Sequence, residues 1–287
     1  MTGPVFLFVL AVLTVVLAPL VGGLLFGLDR KLTARLQGRV GPPLVQPFYD
    51  VLKLWHKEKI AVNRLHLVWA WAYLVLVIAS LLLLVWQQDL LLLVFTLGFA
   101  AIALVMGSFS VRSPYSHFGG QRELMQLLAY EPVLLLTAVA VYFRTGTFLV
   151  SGILQQDRPL LFSLPLVFAA LVIILTIKMR KSPFDLAACE HAHQELVRGI
   201  YTEYSGPYLA LIQVAHWYEL VLVLALIGLF WAHPWWAGVL LAVAAFFAEL
   251  VVDNSTARVT WPVMLRLVWA SCLTLVLANL AALYLIV

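Results

Sequence analysis

Charge is scarce in this sequence. Asp, Glu, Lys and Arg make up 11% of its 287 residues, whereas 64% are apolar. An ordinary soluble domain is roughly a quarter charged, so a water-soluble globule is excluded. Cysteine is nearly absent as well. Cys189 and Cys272 stand far apart and no CxxC occurs, which argues against an iron–sulfur cluster or structural zinc held by this chain alone. Both read as packing thiols. The phosphate-binding P-loop, the HExxH zinc motif and the GxSxG nucleophile elbow are missing too. There is no internal repeat, low-complexity tract or soluble domain. Residues 1–287 therefore read as a single integral membrane unit.

What is present is a series of apolar runs. A bilayer core of roughly 30 Å needs about 20 apolar residues per helical crossing. Eight such spans are predicted, near 4–27, 67–86, 90–109, 124–143, 160–177, 207–231, 235–252 and 264–286. The expected fold is all-α and polytopic. The N-terminal run has no basic residue ahead of it and is too long for a cleaved signal, so it reads as the first span. Two links, Gln87–Asp89 and Ala232–Pro234, are so short that the spans they join must be antiparallel neighbours.

The net charge of +4 suggests nucleic acid only until the bases are placed. All but Arg144 and Arg158 fall in the loops after spans one, three, five and seven or, for Arg266, at the start of span eight. The positive-inside rule puts those loops in the cytoplasm and both termini on the outer side. The lipid bilayer, not nucleic acid, is the implied partner. Trp69, Trp71, Trp86, Trp231, Trp235, Trp236 and Trp261 fall near span ends, as interfacial anchors do.

Two cytoplasmic loops carry the polar chemistry. In loop 28–66, Gly41–Pro43 marks a turn and Pro47 opens a short helix. Phe48, Val51, Leu52 and Trp55 share one face of it, which predicts an amphipathic helix. It serves either as a surface anchor or as a dock for a soluble subunit. Loop 178–206 holds Lys178, Arg180, Lys181, Asp185, Glu190, His191, His193, Glu195, Arg198 and Glu203. Ionisable groups this dense between two spans must stay wet or pair internally. Metal binding is disfavoured. On a helix, His191 pairs with Glu195 and Glu190 with His193, so neither face offers the three or four ligands that zinc needs.

Acids also occur inside spans. Glu131 precedes Pro132, which deprives the Leu128 carbonyl of its helical donor. Glu131 reads either as a proton site or as a neutral acid at a kink. Gln213, His216 and Glu219 form one polar stripe in span six that should face the bundle. They read as a proton relay or as internally satisfied polar packing. Glu249, near the end of span seven, is expected to snorkel or to pair with Arg258.

Three segments carry a family likeness: ARLQGRVGPPLVQPFYDVLKLWHKE (34–58), GGQRELMQLLAYEP (119–132) and SPFDLAACEHAHQELVRGIYTEYSGPYLAL (182–211). In order, they resemble the membrane-anchor subunit of group 4, energy-converting NiFe-hydrogenases and formate hydrogenlyases. That subunit is homologous to the complex I membrane subunit, of the NADH dehydrogenase subunit 1 family, that floors the quinone chamber. The compact GPPLVQPFYDVLKL link and the lengthened AACEHAHQ step favour the hydrogenase branch.

The resemblance implies a multi-pass subunit of a prokaryotic inner membrane. Its partners would be hydrogenase large and small subunits, an iron–sulfur subunit and antiporter-like membrane subunits. No cofactor is expected in this chain; the NiFe centre and iron–sulfur clusters would belong to those partners. The subunit would couple their electron transfer, with hydrogen evolution, to H⁺ or Na⁺ movement. Asp185, Glu195 and Glu203 match the family's acidic loop, and Glu131 its intramembrane acid. Glu190, His191 and His193 match only the hydrogenase-type loop. Together with His216 and Glu219 these are the candidate ion path. Arg35, Arg39 and Lys53 match the basic loop beneath the soluble arm, and so are candidate docking residues. The alternatives are a quinone-site subunit of a complex I-type oxidoreductase and a passive membrane scaffold.

Overall fold

The computed structural model describes residues 4–60, 62–156, 158–187 and 198–286. Among them no β-strand forms. The helices are α1 (Pro4–Leu36), α2 (Gln46–Trp55), α3 (Arg64–Val85), α4 (Leu90–Phe109), α5 (Pro114–Thr145), α6 (Val150–Leu154), α7 (Leu160–Ser163), α8 (Pro165–Lys178), α9 (Gly206–Gly228), α10 (Trp235–Ser255), α11 (Trp261–Val268) and α12 (Thr274–Ile286). A π-helical turn, Trp269–Leu273, joins α11 to α12, so the pair makes one apolar span.

Seven helices among the described residues are long and apolar enough to cross a membrane. The predicted span 160–177 differs. It is split into α7 and the 14-residue α8. The cause is Pro165, whose ring nitrogen has no proton to give and whose predecessor is pushed out of helical backbone. Breaking a helix within a membrane leaves polar backbone groups that must be satisfied internally. Asn279 of α12 does this. Its Oδ1 accepts from Leu166 N at 2.9 Å, and its Nδ2 donates to Ser163 O at 3.1 Å.

Helix ends follow local chemistry. Asn63 caps α3 by accepting from Leu65 N. Asp89 caps α4 by accepting from Leu91 N and Leu92 N, as short polar residues at this position do. Gly146 closes α5 in the left-handed region, at φ 75°, where a side chain would be strained. Two helices run past the predicted spans. At 1.5 Å per residue, α1 and α5 are each about 50 Å long, well beyond the hydrocarbon core. Asp29, Arg30 and Arg35 therefore ride on α1, and Arg122, Glu123 and Gln126 on α5.

The core sits around α9, the most enclosed span, while α1 and the α11–α12 span turn most of their surface outward. A glycine sets one of the closest approaches. A Cβ on Gly22 of α1 would lie 2.5 Å from the Trp217 carbonyl oxygen of α9, which real packing does not allow. Small residues at such crossings are the usual device in membranes.

The amphipathic α2 lies against α1 and α9, but its inner face differs from the expected one. Pro47 is buried and Phe48 packs edge-on against Trp217, with ring centroids 5.1 Å apart. Leu54 joins the core, whereas Leu52 and Trp55 are exposed. The helix is turned so that its proline end wedges between α1 and α9. Leu52, Trp55 and Tyr49 form a second, outward stripe.

Candidate functional site

Where α3, α5, α8 and α9 meet, the sequence buries a set of charges. Lys178 ends α8, and its Nζ donates to Glu219 Oε1 and to Tyr130 Oη, both at 2.9 Å. The side chains of Lys178 and Glu219 are 5% and 7% exposed. Lys178 also sits over the Tyr130 ring, 4.2 Å from its centroid. Tyr73 of α3 donates to Glu219 Oε2 at 2.7 Å, and its oxygen lies 2.8 Å from His216 Nδ1.

Arg180 closes the other side. Its Nη2 donates to Glu123 Oε1 at 2.9 Å, and its Nη1 lies 2.6 Å from His216 Nε2. Burial works against the Arg180 charge, but Glu123 and its neighbours outweigh it, and the guanidinium pKa lies above its ordinary value. Tyr201 also reaches His216 Nε2, at 2.5 Å. A guanidinium has only donors. Nε2 must therefore present its lone pair, which assigns the ring proton to Nδ1.

That assignment defines a wire. Nδ1–H donates to the Tyr73 oxygen, and Tyr73 O–H donates to Glu219. If Arg180 Nη1 turned aside and Nε2 took up a proton, the one on Nδ1 could pass to Tyr73 and the Tyr73 proton to the Glu219 carboxylate, each along a hydrogen bond already made. Lys178 would then face a neutral acid in place of its counter-ion.

Two small cavities meet at His216. One, of about 40 Å³, runs between α1, α8, α9 and α10, past Asp29, Lys178, Lys181 and Glu219. The other, also about 40 Å³, lies between α1, α2 and α9 and is lined by Arg30, Asp50, Arg198 and Gln213. Those four residues also line a larger cavity of about 420 Å³, which takes in Lys53 and Lys57. A water needs about 10–15 Å³ by this measure, so each inner cavity has room for a few. A polar lining runs from the basic face of α2 to the imidazole.

The sequence-derived candidates divide. His216 and Glu219 are at the centre, and Gln213 lines the second cavity with His216. Glu131 is half-buried on α5, beside Tyr130. Its Oε1 lies against Gly98 of α4, where a Cβ would stand 2.5 Å away, and its Oε2 has no hydrogen-bond partner. The carbonyl that Pro132 frees is taken up, since Trp269 Nε1 donates to Leu128 O at 3.2 Å. Asp185 stands apart in a bidentate pair with Arg258, at 2.9 and 2.7 Å. That pair takes the Arg258 guanidinium expected for Glu249. Glu249 is instead buried on α10, and its Oε2 has no hydrogen-bond partner. Glu203 lies near the His66–Tyr204 stack. Arg35, Arg39 and Lys53 are exposed on the α1–α2 side. Glu190, His191, His193 and Glu195 lie outside the described residues.

Sequence reasoning missed Tyr73, Glu123, Tyr130, Lys178, Arg180 and Tyr201 as site residues. In the sequence, Lys178 and Arg180 read as bases of the polar loop 178–206 and not as individual site residues. Tyr73 did carry a signal: it is the one hydroxyl-bearing aromatic in an otherwise apolar span, seven residues after His66 on the same helical face.

Comparison with known proteins fits this geometry. The family model described as NADH dehydrogenase matches residues 8–284. The chain belongs to that family. Within the family, it is 30% identical to a putative NADH-ubiquinone oxidoreductase of Methanocaldococcus jannaschii, over 88% of this chain and 81% of the relative. It is also 30% identical to formate hydrogenlyase subunit 4 of Escherichia coli strain K12, over 87% of this chain and 90% of that one. A similar chain occurs in the solved structure of the membrane-bound sulfane sulfur reductase, an archaeal respiratory membrane complex. There the TM-score is 0.86 at 25% identity, covering 96% of this chain and 99% of that one. This NADH dehydrogenase family member is thus a polytopic membrane protein whose relatives are subunits of respiratory and hydrogenase-type membrane complexes.

Proposed function

We propose that this chain is the membrane subunit of an energy-converting hydrogenase-like complex in a prokaryotic inner membrane. It anchors the soluble redox arm on the α1–α2 face and couples electron transfer there to proton movement. The observation that carries the reading is the Arg180–His216–Tyr73–Glu219–Lys178 network, set between two water-sized cavities. A buried array of this kind is costly to desolvate and is expected where charge must move.

Coupling is electrostatic. Reduction in the soluble arm changes the charge above the basic mouth at Lys53, Lys57 and Arg198. In a low-dielectric setting that change biases which groups of the network hold protons. Partner subunits supply the NiFe centre and iron–sulfur clusters, and antiporter-like subunits carry the ion onward. Glu203 and Glu131 extend the path at its two ends. In the complex I-type alternative a quinone sits in the same region. The inner cavities of about 40 Å³ suit a few waters, which supports the proton path.

Affinity purification of the tagged chain from its own membranes tests the reading. A hydrogenase large subunit and iron–sulfur subunits are expected to co-purify. A set of partners with quinone reductase activity and no hydrogenase would contradict it.

A further inference from the structure

The larger cavity, of about 420 Å³, lies where α2 packs against α1 and α9. Its lining holds four cations, Arg30, Lys53, Lys57 and Arg198, and one carboxylate, Asp50. Both oxygens of that carboxylate are engaged. Oδ2 accepts from Arg30 Nη1 at 2.7 Å, and Oδ1 accepts from Gln46 Nε2 at 2.9 Å. Asp50 therefore answers the charge of Arg30 and no other. Among the described residues, no carboxylate pairs with Lys53, Lys57 or Arg198. Three cations are gathered round one cavity without a counter-charge.

The period of α2 builds this arrangement. Asp50 and Lys53 are three residues apart and share a face of the helix. Lys57 follows in the next turn, where its N–H donates to Leu54 O at 3.2 Å. Depth in the membrane is set by the other two walls. The apolar run of α1 ends near residue 27, so Arg30 stands about 5 Å past it at 1.5 Å per residue. Leu209 lines the same cavity from the first turn of α9, which begins at Gly206. Tyr49, Leu52 and Trp55 lie exposed on another side of α2, as in a helix that rests in the membrane interface. The cavity thus sits at the level of the lipid headgroups, on the side that the positive-inside rule makes cytoplasmic.

We propose that this cavity binds the phosphate group of an anionic phospholipid of the cytoplasmic leaflet. Lys53 and Lys57 meet it as point charges, and the Arg198 guanidinium meets it as a planar fork. The Gln213 amide, also in the lining, offers a further N–H. Basic pockets between membrane helices on this side suit such headgroups. Free phosphate shares the chemistry but must be drawn from water, where salt screens exposed charges. A lipid is confined to the layer in which the cavity lies, which raises its effective concentration there. The inference needs only the membrane setting of the chain and does not depend on the proton path.

The test is the thermal midpoint of the purified complex, depleted of lipid in detergent and then given phosphatidylglycerol, phosphatidylcholine or inorganic phosphate. Phosphatidylglycerol is expected to raise the midpoint with concentration, as a ligand of the folded state does. Phosphatidylcholine and inorganic phosphate are expected to leave it unchanged. Lys53→Gln/Lys57→Gln/Arg198→Gln is expected to weaken the apparent affinity for phosphatidylglycerol several-fold. Lys31→Gln/Lys59→Gln, which removes two bases outside the cavity, is expected to keep it. No response to phosphatidylglycerol in wild type overturns the proposal. So does equal weakening in both variants, since a general surface attraction would then account for it. An equal rise with inorganic phosphate overturns the lipid as the source. Loss of the soluble subunits from the triple variant, with the phosphatidylglycerol response kept, also overturns it, because the bases would then hold an acidic segment of a partner. If the triple variant does not assemble, Arg198→Gln alone decides, and an affinity equal to wild type overturns the proposal.

Discussion

Lys178 Nζ lies 2.9 Å from Glu219 Oε1, with both side chains almost fully enclosed. Two residues counted apart in the sequence, one as a loop base and one as a span acid, are a single buried ion pair. Removing one member leaves the other without its counter-charge, a change that costs about 3–5 kcal/mol in folded proteins. Lys178→Met is therefore expected to lower the thermal midpoint of the purified complex strongly. The double variant Lys178→Met/Glu219→Leu is expected to recover much of that loss without regaining proton coupling. Melting curves and vesicle assays on the same preparations check both parts.

Gly98 leaves room for Glu131. Gly98→Ala puts a methyl group 2.5 Å from Glu131 Oε1 and forces the carboxyl to move. If Glu131 belongs to the path, Gly98→Ala lowers the protons moved per electron. Residues in direct contact are non-additive, so Gly98→Ala/Glu131→Gln should then be no worse than Glu131→Gln alone. Equal coupling in wild type and Gly98→Ala would remove Glu131 from the path.

Asp185 is held by Arg258. Its bidentate bond to Arg258 ties the segment after α8 to the turn before α11. Asp185→Asn and Arg258→Gln are each expected to cost on the order of 2–3 kcal/mol and to reduce the yield of assembled complex. The complex that does form should couple normally. Normal yield with lost coupling would place Asp185 on the path after all.

Asn279 satisfies the backbone that Pro165 interrupts. Asn279→Leu strands Leu166 N–H and Ser163 C=O inside the bundle, at about 1–3 kcal/mol per unsatisfied group. A lower melting temperature is expected. Pro165→Ala should offset part of the loss by allowing α8 to start earlier. The Asn279→Leu/Pro165→Ala pair measured against each single variant checks this.

Much of the fold was legible in the sequence because apolar runs of membrane length have few alternatives. Span 160–177 reads as one helix because its hydropathy is continuous. The break depends on Pro165, and its tolerance depends on Asn279, which is over a hundred residues away. The inward face of α2 is not legible at Leu52 and Trp55 for a similar reason. Its period shows which residues share a face, whereas Gly23 and Trp217 decide which face turns inward. His216 and Glu219 stood out as polar groups among apolar neighbours. Lys178 and Arg180 did not, since a base at a span end usually reaches for water. Here Glu219 and Glu123 draw them inward, and no local pattern reveals those partners.

On the proposed path, protons pass between His216 and Glu219 through Tyr73. The most direct measurement is proton uptake per hydrogen evolved in inverted membrane vesicles carrying Tyr73→Phe. That variant keeps the ring and removes only the hydroxyl bridge. Hydrogen evolution driven by a chemical reductant is expected to continue while proton uptake per hydrogen falls several-fold. Uptake equal to wild type, in a complex of unchanged composition, would contradict it.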